Sequence, residues 1–304
     1  MGTLVRITLY APSEEPARGG FDAAFGRIRE LDEKLSDYRP DSELMQLCER
    51  AGEGPVAVSA DLFRVIEAAQ SLAVRTDGAF DITLGPVIRV WREARRDGRL
   101  PGPLALEEAR RRAGFRKLLL DPKKQTVVLS EPGMRLDLGG IAKGYAADAA
   151  LKALEMHGIT RALVAVAGDI AAGDPPPGKS GWRVGIEWPG STAGSLNRIL
   201  ELHNTAVSTS GDSEQYFELD GVRYSHIIDA TEGRALERSP VVTVIARRGI
   251  DADSLATAVS VMGVENGLRF VEEHTQAAAL AISSEGGEVV VRTTRNFPEP
   301  PRAR

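Results

Sequence analysis

The sequence predicts an α+β fold, because amphipathic helices and antiparallel hairpins follow one another along the chain. Turn residues mark two hairpins, Asp121-Pro122 within 117–129 and Gly286-Gly287 within 278–292. Apolar residues with helical spacing, as in 21–35, supply the other class of element. The chain has 304 residues, of which 42% are apolar. We therefore predict one domain over 1–295, as a single body or two closely packed lobes, and a disordered Pro- and Arg-rich tail over 296–304.

Each element has its own local signal. Polar and apolar residues alternate in the first predicted strand, and Gly114 ends one predicted helix. The strands are predicted at 4–10, 117–120, 126–129, 134–138, 161–166, 183–188, 241–246, 278–283 and 288–292. The helices are predicted at 21–35, 61–75, 106–113, 146–154, 253–262 and 265–273. The Gly- and Pro-rich segment 173–178 is predicted to be a surface loop.

Composition narrows the function classes. A net charge of −5 argues against a nucleic-acid surface, so we interpret Arg92, Arg95, Arg96 and Arg99 as one solvated helix face. No apolar run approaches the roughly 18 residues of a membrane span. Cys48 is the single cysteine, which excludes an intrachain disulfide.

The most informative segment is 137–148, where a predicted strand enters a helix through Gly139 and Gly140. Paired glycines allow close backbone approach, and a helix N-terminus attracts anions. Lys143 stands where its ammonium could reach a phosphate oxygen, and Asp137 could bind a metal, a ribose or a base edge. The alternative is an ordinary turn between a strand and a helix.

A second candidate site is carried by Asp253 and Thr257, which are four residues apart on one face of a predicted helix. A carboxylate and a hydroxyl are hard oxygen ligands of the kind that Mg²⁺ accepts. Alternatively, Asp253 caps the helix and the hydroxyl of Thr257 bonds back to the helix backbone.

Two further clusters carry chemistry. The segment 78–83 places Asp81 and Thr83 in a loop after a helix, although it could equally be a plain turn. His226 stands among strand-forming residues and precedes Asp229. Such a histidine is often structural, but its ordinary pKa suits general-base work near neutrality.

As a set, the motifs resemble the FAD:protein FMN transferase family, ApbE. They are Met1-Gly2-Thr3, Ser36-Asp37-Tyr38 with Asp41-Ser42-Glu43-Leu44, Gly78-Ala79-Phe80-Asp81, Asp137-Leu138-Gly139-Gly140-Ile141-Ala142-Lys143-Gly144, Gly168-Asp169-Ile170, Ser225-His226-Ile227-Ile228-Asp229 and Asp253-Ser254-Leu255-Ala256-Thr257-Ala258. The resemblance runs from residue 1 to about residue 275 and implies a T-fold-like architecture.

The resemblance also implies roles for individual residues. The flavin contacts would be Met1, Tyr38, Ala79, Phe80, Asp81, Asp137, Lys143 and Ile227. Mg²⁺ would be held by the carbonyl of Gly140 and by Asp253 and Thr257, and His226, with Asp229 as a candidate to orient it, would be the catalytic base. In this reading FAD is cleaved, FMN passes to a threonine or serine of an acceptor protein, and AMP leaves.

Departures from the family pattern keep other functions open. Cys48 replaces a usual asparagine, Ala167 replaces the first glycine of a usual Gly-Gly-Asp, and Ala230 replaces a usual proline. A magnesium-dependent FAD pyrophosphatase and a non-catalytic flavin-binding or trafficking protein therefore remain alternatives. The family is commonly exported, but no charged and apolar leader precedes Met1-Gly2-Thr3, so we expect either a cytoplasmic member or a chain whose leader was removed.

Overall fold

The structure, a computed structural model, describes residues 3–186, 198–211, 216–237, 239–286 and 288–299. The chain divides into two compact units. The first comprises Glu30–Ala142 and Gly211–Ser239, and the second comprises Gly2–Arg29, Lys143–Ser210 and Pro240–Arg304. Helices and antiparallel sheets occur together in the described residues, which confirms the predicted α+β class.

The described helices are α1 (Glu14–Leu35), α2 (Glu43–Glu49), α3 (Ala60–Arg75), α4 (Gly85–Asp97), α5 (Pro103–Arg111), α6 (Ala142–Met156), α7 (Gly249–Met262) and α8 (Val264–His274). The described strands are β1 (Val5–Leu9), β2 (Val56–Ala57), β3 (Leu118–Asp121), β4 (Thr126–Leu129), β5 (Ala162–Val166), β6 (Asp169–Ala172), β7 (Trp182–Ile186), β8 (Arg198–Leu202), β9 (Thr205–Ser210), β10 (Tyr216–Leu219), β11 (Val222–Asp229), β12 (Arg234–Glu237), β13 (Val241–Ala246), β14 (Ala278–Glu285) and β15 (Glu288–Thr293). None of these helices is long and apolar enough to cross a membrane.

The second unit is built on an antiparallel sheet in the order β1-β5-β6-β9-β13-β14-β15. Successive side chains of a strand point to opposite faces, and both faces of this sheet are covered. Val164 of β5 packs with Ala147 and Leu154 of α6, whereas its neighbour Leu163 packs with the cluster that includes Trp182 of β7. The helix α7 packs against β9 and β13. This sheet therefore fixes α6, which carries Lys143, and α7, which carries Asp253 and Thr257.

The first unit contains two three-stranded antiparallel sheets, β2-β4-β3 and β10-β11-β12. Its aromatic core joins α4 to the second of these sheets. Trp91 of α4 packs with Ile228 of β11, and its indole N–H donates a 2.9 Å hydrogen bond to the carbonyl of Gly233. The position of β11, which carries His226, is therefore set by α4.

The strand predicted at 134–138 is wrong, because this segment makes only an isolated bridge, between Arg135 and Leu84. Its alternation reflects burial of one side, with Met134, Leu136 and Leu138 almost fully enclosed. The backbone N–H groups are satisfied outside a sheet: Leu136 donates to the Cys48 thiol, and Asp137 donates to the carbonyl of Ile82. A one-sided apolar pattern can thus arise without strand pairing.

The end of the chain also differs from the prediction in part. The Asn296 amide donates a 3.0 Å hydrogen bond to the carbonyl of Ala277, and the Phe297 ring is buried in the core of the second unit. The predicted disorder therefore does not apply to these two residues, since an aromatic ring gains free energy by leaving water. Residues 300–304 lie outside the described residues, as do Trp188 and Gly287 of the predicted strands and turn.

Candidate active site

In the first unit, Arg92 of α4 connects two segments that the sequence motifs single out. Its guanidinium donates hydrogen bonds to the carboxylates of Asp37 and Asp137, the latter at 2.8 Å. The guanidinium carbon also lies 4.7 Å from the centre of the Tyr38 ring, in cation–π range. The Arg92 side chain is 42% exposed, as the predicted solvated face requires, but the sequence did not predict these partners. Tyr38 itself remains 72% exposed.

The carboxylate of Asp137 is held in place on both of its oxygens. One oxygen accepts the Arg92 hydrogen bond, and the other accepts a 2.9 Å hydrogen bond from the backbone N–H of Gly139. Burial, followed by the nearby carboxylate of Asp37, raises the pKa of Asp137 to about 6, and Arg92 opposes that rise. The Asp137 carboxylate, at the start of the glycine motif, is thus held in one position. Its burial makes ionisation less favourable than for an exposed aspartate.

The loop at 78–83 is shaped by Asp81. Its carboxylate accepts hydrogen bonds of 2.7 Å from both the N–H and the hydroxyl of Thr83 and one of 2.9 Å from the N–H of Phe115. Burial raises the pKa of Asp81. Phe80 is 4% exposed. Asp81 therefore supports the loop itself, and Phe80 is enclosed, whereas Ala79 and Asp81 are both half-buried.

His226 lies on β11 and is exposed, whereas Ser225 and Ile227 on either side are buried. The pairing of β11 with β12 shifts register between Tyr224 and Ile228, and such irregularities re-aim side chains. The predicted orienting residue, Asp229, accepts hydrogen bonds from the N–H groups of Thr231 and Glu232 through one oxygen. Its described contacts therefore stabilise the turn that follows β11.

In the second unit, three charged side chains meet: Lys143 of α6, Asp169 at the start of β6 and Asp253 of α7. The Lys143 ammonium pairs with Asp169 and lies 3.4 Å from Asp253 Oδ1. The second oxygen of Asp169 accepts a hydrogen bond from the Ser208 hydroxyl, and Asp253 Oδ2 accepts a 3.0 Å hydrogen bond from the N–H of Gly144. Both carboxylate side chains are only 4% exposed.

This cluster carries an excess of negative charge, since two carboxylates share one ammonium. Burial, and then the neighbouring carboxylate of Asp169, raises the pKa of Asp253 to about 7. Burial by itself would lower the pKa of Lys143, but the two carboxylates outweigh it and raise that pKa. A further cation close to Asp253 would relieve the repulsion between the two acids.

The donor set around Asp253 fits a hard divalent cation. Asp253 is the fifth residue of α7, so it is not the cap that the alternative reading required. Thr257 follows one helical turn later and is half-buried, and its hydroxyl makes no hydrogen bond within the part of the chain that the structure describes. No cluster of three His, Cys, Asp or Glu side chains suited to a metal occurs among these residues either. Two protein ligands with water and phosphate oxygens are typical of magnesium sites.

Two glycines allow α6 and α7 to approach closely enough to form this cluster. A Cβ atom on Gly144 would lie 2.1 Å from the carbonyl oxygen of Gly249, and one on Gly249 would lie 2.4 Å from the carbonyl oxygen of Gly144. Asp148 of α6 then accepts hydrogen bonds of 2.6 and 3.0 Å from the N–H groups of Gly249 and Ile250. The first turn of α7 is thus capped by a side chain from α6.

Cys48, the departure from the family pattern, lies on α2 in the first unit and is 5% exposed. Its sulfur accepts a 3.3 Å hydrogen bond from the N–H of Leu136, the residue before Asp137. Burial raises the pKa of the thiol, which therefore stays neutral. The contact makes Cys48 a support for the entry of the glycine motif.

The sequence profile of the ApbE family matches residues 1–281. The chain belongs to the ApbE family. A protein of Treponema pallidum (strain Nichols) named FAD:protein FMN transferase is 36% identical over 299 residues, which span 93% of this chain and 82% of that relative. The solved structure of flavin transferase ApbE from Vibrio cholerae matches with a TM-score of 0.89 at 32% identity, covering 98% of this chain and 95% of that one.

The solved structure of the ApbE protein from Thermotoga maritima matches with a TM-score of 0.84 at 32% identity over 95% of this chain and 93% of that one. The family predicted from the motifs is therefore confirmed. Individual site residues stay predictions: Met1 lies outside the described residues, Gly140 lies in the turn before α6, and the Ile227 side chain is buried. Sequence reasoning missed Arg92 and gave Asp169 no role, although Asp169 follows a glycine in a quoted ApbE motif.

The contact between α6 and α7 gives a stability prediction. We expect Gly144→Ala to lower the free energy of unfolding by on the order of 1–3 kcal/mol, because the added methyl overlaps the backbone of Gly249. Gly19→Ala is the matched control, since Gly19 lies in α1 with no atom near an added methyl. In that control the free energy of unfolding should rise by up to about 1 kcal/mol, because alanine has a higher helix propensity than glycine. Urea unfolding measures the free energy of unfolding of both variants. An equal increase in the two variants would contradict the close approach of α6 and α7.

Proposed function

We propose that this chain is a magnesium-dependent FAD:protein FMN transferase, which attaches FMN to a threonine or serine hydroxyl of an acceptor protein and releases AMP. The observation that carries the proposal is the match to a relative named FAD:protein FMN transferase over 93% of the chain. Two further observations support it: the carboxylates of Asp137 and Asp253 are held by hydrogen bonds, and His226 is exposed.

The flavin contacts are proposed in the first unit. Tyr38 offers an exposed ring supported by Arg92, and flavins are flat aromatic systems that stack on such rings. Asp137 is held by Arg92 and Gly139, so its carboxylate can accept a hydrogen bond with little reorganisation. Ala79, Phe80, Asp81, Ile227 and Met1 stay proposed contacts on the strength of the family motifs.

The chemistry requires one proton to move and one bond to phosphorus to be exchanged. His226 is proposed to take the proton of the acceptor hydroxyl, whose oxygen then bonds to the phosphorus of the FMN half. The bond from that phosphorus to the bridging oxygen breaks, and AMP leaves with that oxygen. An exposed imidazole on β11 is accessible to a hydroxyl of another protein.

Asp253 and Thr257 are proposed to hold magnesium in the second unit. The excess negative charge and the fixed position of Asp253 support this assignment. Bound magnesium would neutralise charge on the pyrophosphate of FAD. Lys143 carries a second positive charge next to Asp253. The third ligand implied by the family, the carbonyl of Gly140, stays a prediction.

The experiment that tests the proposal is a product analysis by mass spectrometry. Purified protein is incubated with FAD, magnesium chloride and an acceptor peptide that contains one threonine, with a Thr-to-Val peptide and a chelator as controls. We expect FMN to be joined to the threonine peptide alone, together with free AMP and only in the presence of magnesium. FMN and AMP without a labelled peptide would identify a pyrophosphatase, and unchanged FAD would identify a binding protein.

Cys48 gives a prediction about the balance between transfer and hydrolysis. We expect Cys48→Asn to shift the ratio of peptide-bound to free FMN, because an amide oxygen is a stronger acceptor for the N–H of Leu136 and thereby changes the support of Asp137. Cys48→Ala is the control that removes the acceptor without adding a donor. Both products are quantified in one reaction mixture, and an unchanged ratio with unchanged rates would make Cys48 a packing residue only.

A further inference from the structure

Asp169 is a buried carboxylate to which the proposed reaction assigns no task. Its side chain is 4% exposed and pairs with the Lys143 ammonium. A buried charge is retained at a cost unless it is paired and hydrogen-bonded, so its partners indicate its role. Those partners are one ammonium and one hydroxyl, and the same ammonium lies 3.4 Å from Asp253.

The position of Asp169 is fixed by the sheet. Asp169 is the first residue of β6 and pairs with Val166 of β5 across a two-residue turn. In that turn Ala167 has a left-handed φ of 54°. The Ser208 hydroxyl on the adjacent β9 donates to Asp169 Oδ1, which leaves Oδ2 for Lys143. Asp169 is therefore a rigid anchor for a flexible lysine.

The two oxygens of Asp253 differ in how firmly they are held. Oδ2 accepts a 3.0 Å hydrogen bond from the N–H of Gly144, whereas Oδ1 faces the Lys143 ammonium at 3.4 Å, beyond the usual range of a charge-assisted hydrogen bond. The ammonium lies closer to Asp169. Asp253 Oδ1 is thus the oxygen most available to a cation.

We propose that Asp169 is a positioning residue for magnesium, which holds the Lys143 ammonium so that Asp253 Oδ1 stays open to the cation. The inference rests on the proposed role of Asp253 as a magnesium ligand. Without the carboxylate of Asp169, the half-buried Lys143 ammonium has Asp253 as its remaining carboxylate in the cluster. The two would then form a close pair, and magnesium would have to break that pair in order to bind.

The test measures the magnesium dissociation constant by isothermal titration calorimetry on the full chain, with saturating AMP and no acceptor. We expect Asp169→Asn to weaken magnesium binding by roughly 10-fold or more, as is common for residues that support metal ligands. Asp251→Asn is the matched control. It removes the same charge from α7, where Asp251 pairs with Arg248 at the exposed start of the helix, and it should change the constant by less than about 2-fold.

A double-mutant cycle separates positioning from simple loss of charge. In a Lys143→Met background no ammonium competes for Asp253, so Asp169→Asn should weaken magnesium binding far less than in the parent. An equal loss of magnesium affinity in both backgrounds would show that Asp169 acts by its charge alone and would overturn the inference. Unfolding curves recorded without magnesium check that each variant is folded.

Ser208→Ala is a milder variant, because it removes the hydroxyl that orients Asp169 and leaves every charge in place. It should weaken magnesium binding in the same direction and by a smaller factor. A magnesium affinity equal to that of the parent in both Asp169→Asn and Ser208→Ala would overturn the inference. If Asp253→Asn nevertheless abolished magnesium binding, the proposed function would stand. A parent that bound no magnesium but still labelled the peptide would overturn the metal assignment together with this inference.

Discussion

Asp253→Asn should reduce FMN transfer by roughly 100-fold or more and remove its dependence on magnesium. Asparagine has nearly the same shape and can still accept the hydrogen bond from the N–H of Gly144. It lacks the negative charge, so the cluster with Lys143 and Asp169 becomes neutral and no longer attracts a second cation. The initial rate of peptide labelling, measured over a magnesium titration, gives both quantities.

The control for this prediction is Asp251→Asn, which lies on the same helix two residues earlier. Asp251 makes two 2.6 Å hydrogen bonds with Arg248 at an exposed site, and such pairs contribute little. We expect nearly parental labelling and an unchanged magnesium requirement. Full turnover of Asp253→Asn in magnesium would mean that the metal lies elsewhere.

His226→Ala should abolish peptide labelling, with a loss of roughly 100-fold or more, while FAD binds within a few-fold of the parent. An imidazole on an exposed strand position is suited to removing a proton from an incoming hydroxyl. The base form of an imidazole carries no charge, so it contributes little to the binding of a phosphate dianion. Fluorescence titration measures the affinity for FAD, and mass spectrometry measures the label.

His203→Ala is the control for the loss of an exposed histidine, because His203 lies in the turn between β8 and β9. It should retain both flavin binding and labelling. Equal losses of binding and labelling in His226→Ala would instead identify a structural histidine. Labelling that recovers as the pH rises would show that the acceptor hydroxyl loses its proton without an imidazole.

The sequence was sufficient for those features that depend on local pattern. The helix predicted at 61–75 is α3, Ala60–Arg75, because its apolar stripe has the 3.6-residue period that a buried helix face requires. The strand at 241–246 is β13 with the same bounds. The segment 134–138 shows the limit, since alternation reports burial of one side and contains no information about hydrogen-bond partners.

The residue types of the candidate site could be predicted from the sequence, but the contacts between its side chains could be predicted less well. Lys143 and Asp253 were both chosen from their motifs, yet their mutual contact depends on the close approach of α6 and α7 at Gly144. Arg92 was assigned to a solvated helix face because the net charge of −5 argues against a nucleic-acid surface, and the side chain is indeed exposed. Its two carboxylate partners are distant along the chain, at Asp37 and Asp137, and only tertiary structure brings them together.

The support of Tyr38 by Arg92 has a consequence for the kinetics of the flavin binding that we propose at this ring. A side chain that is immobilised on binding costs about 0.5–1.5 kcal/mol, and a ring already resting on a guanidinium has lost part of that freedom beforehand. In the binding mode proposed above, the exposed face of the ring is preorganised for the flavin, and replacing Arg92 should slow capture of FAD without altering the ring itself. Such a variant would bind by a two-step course, in which the aromatic side chain settles only after the flavin has arrived.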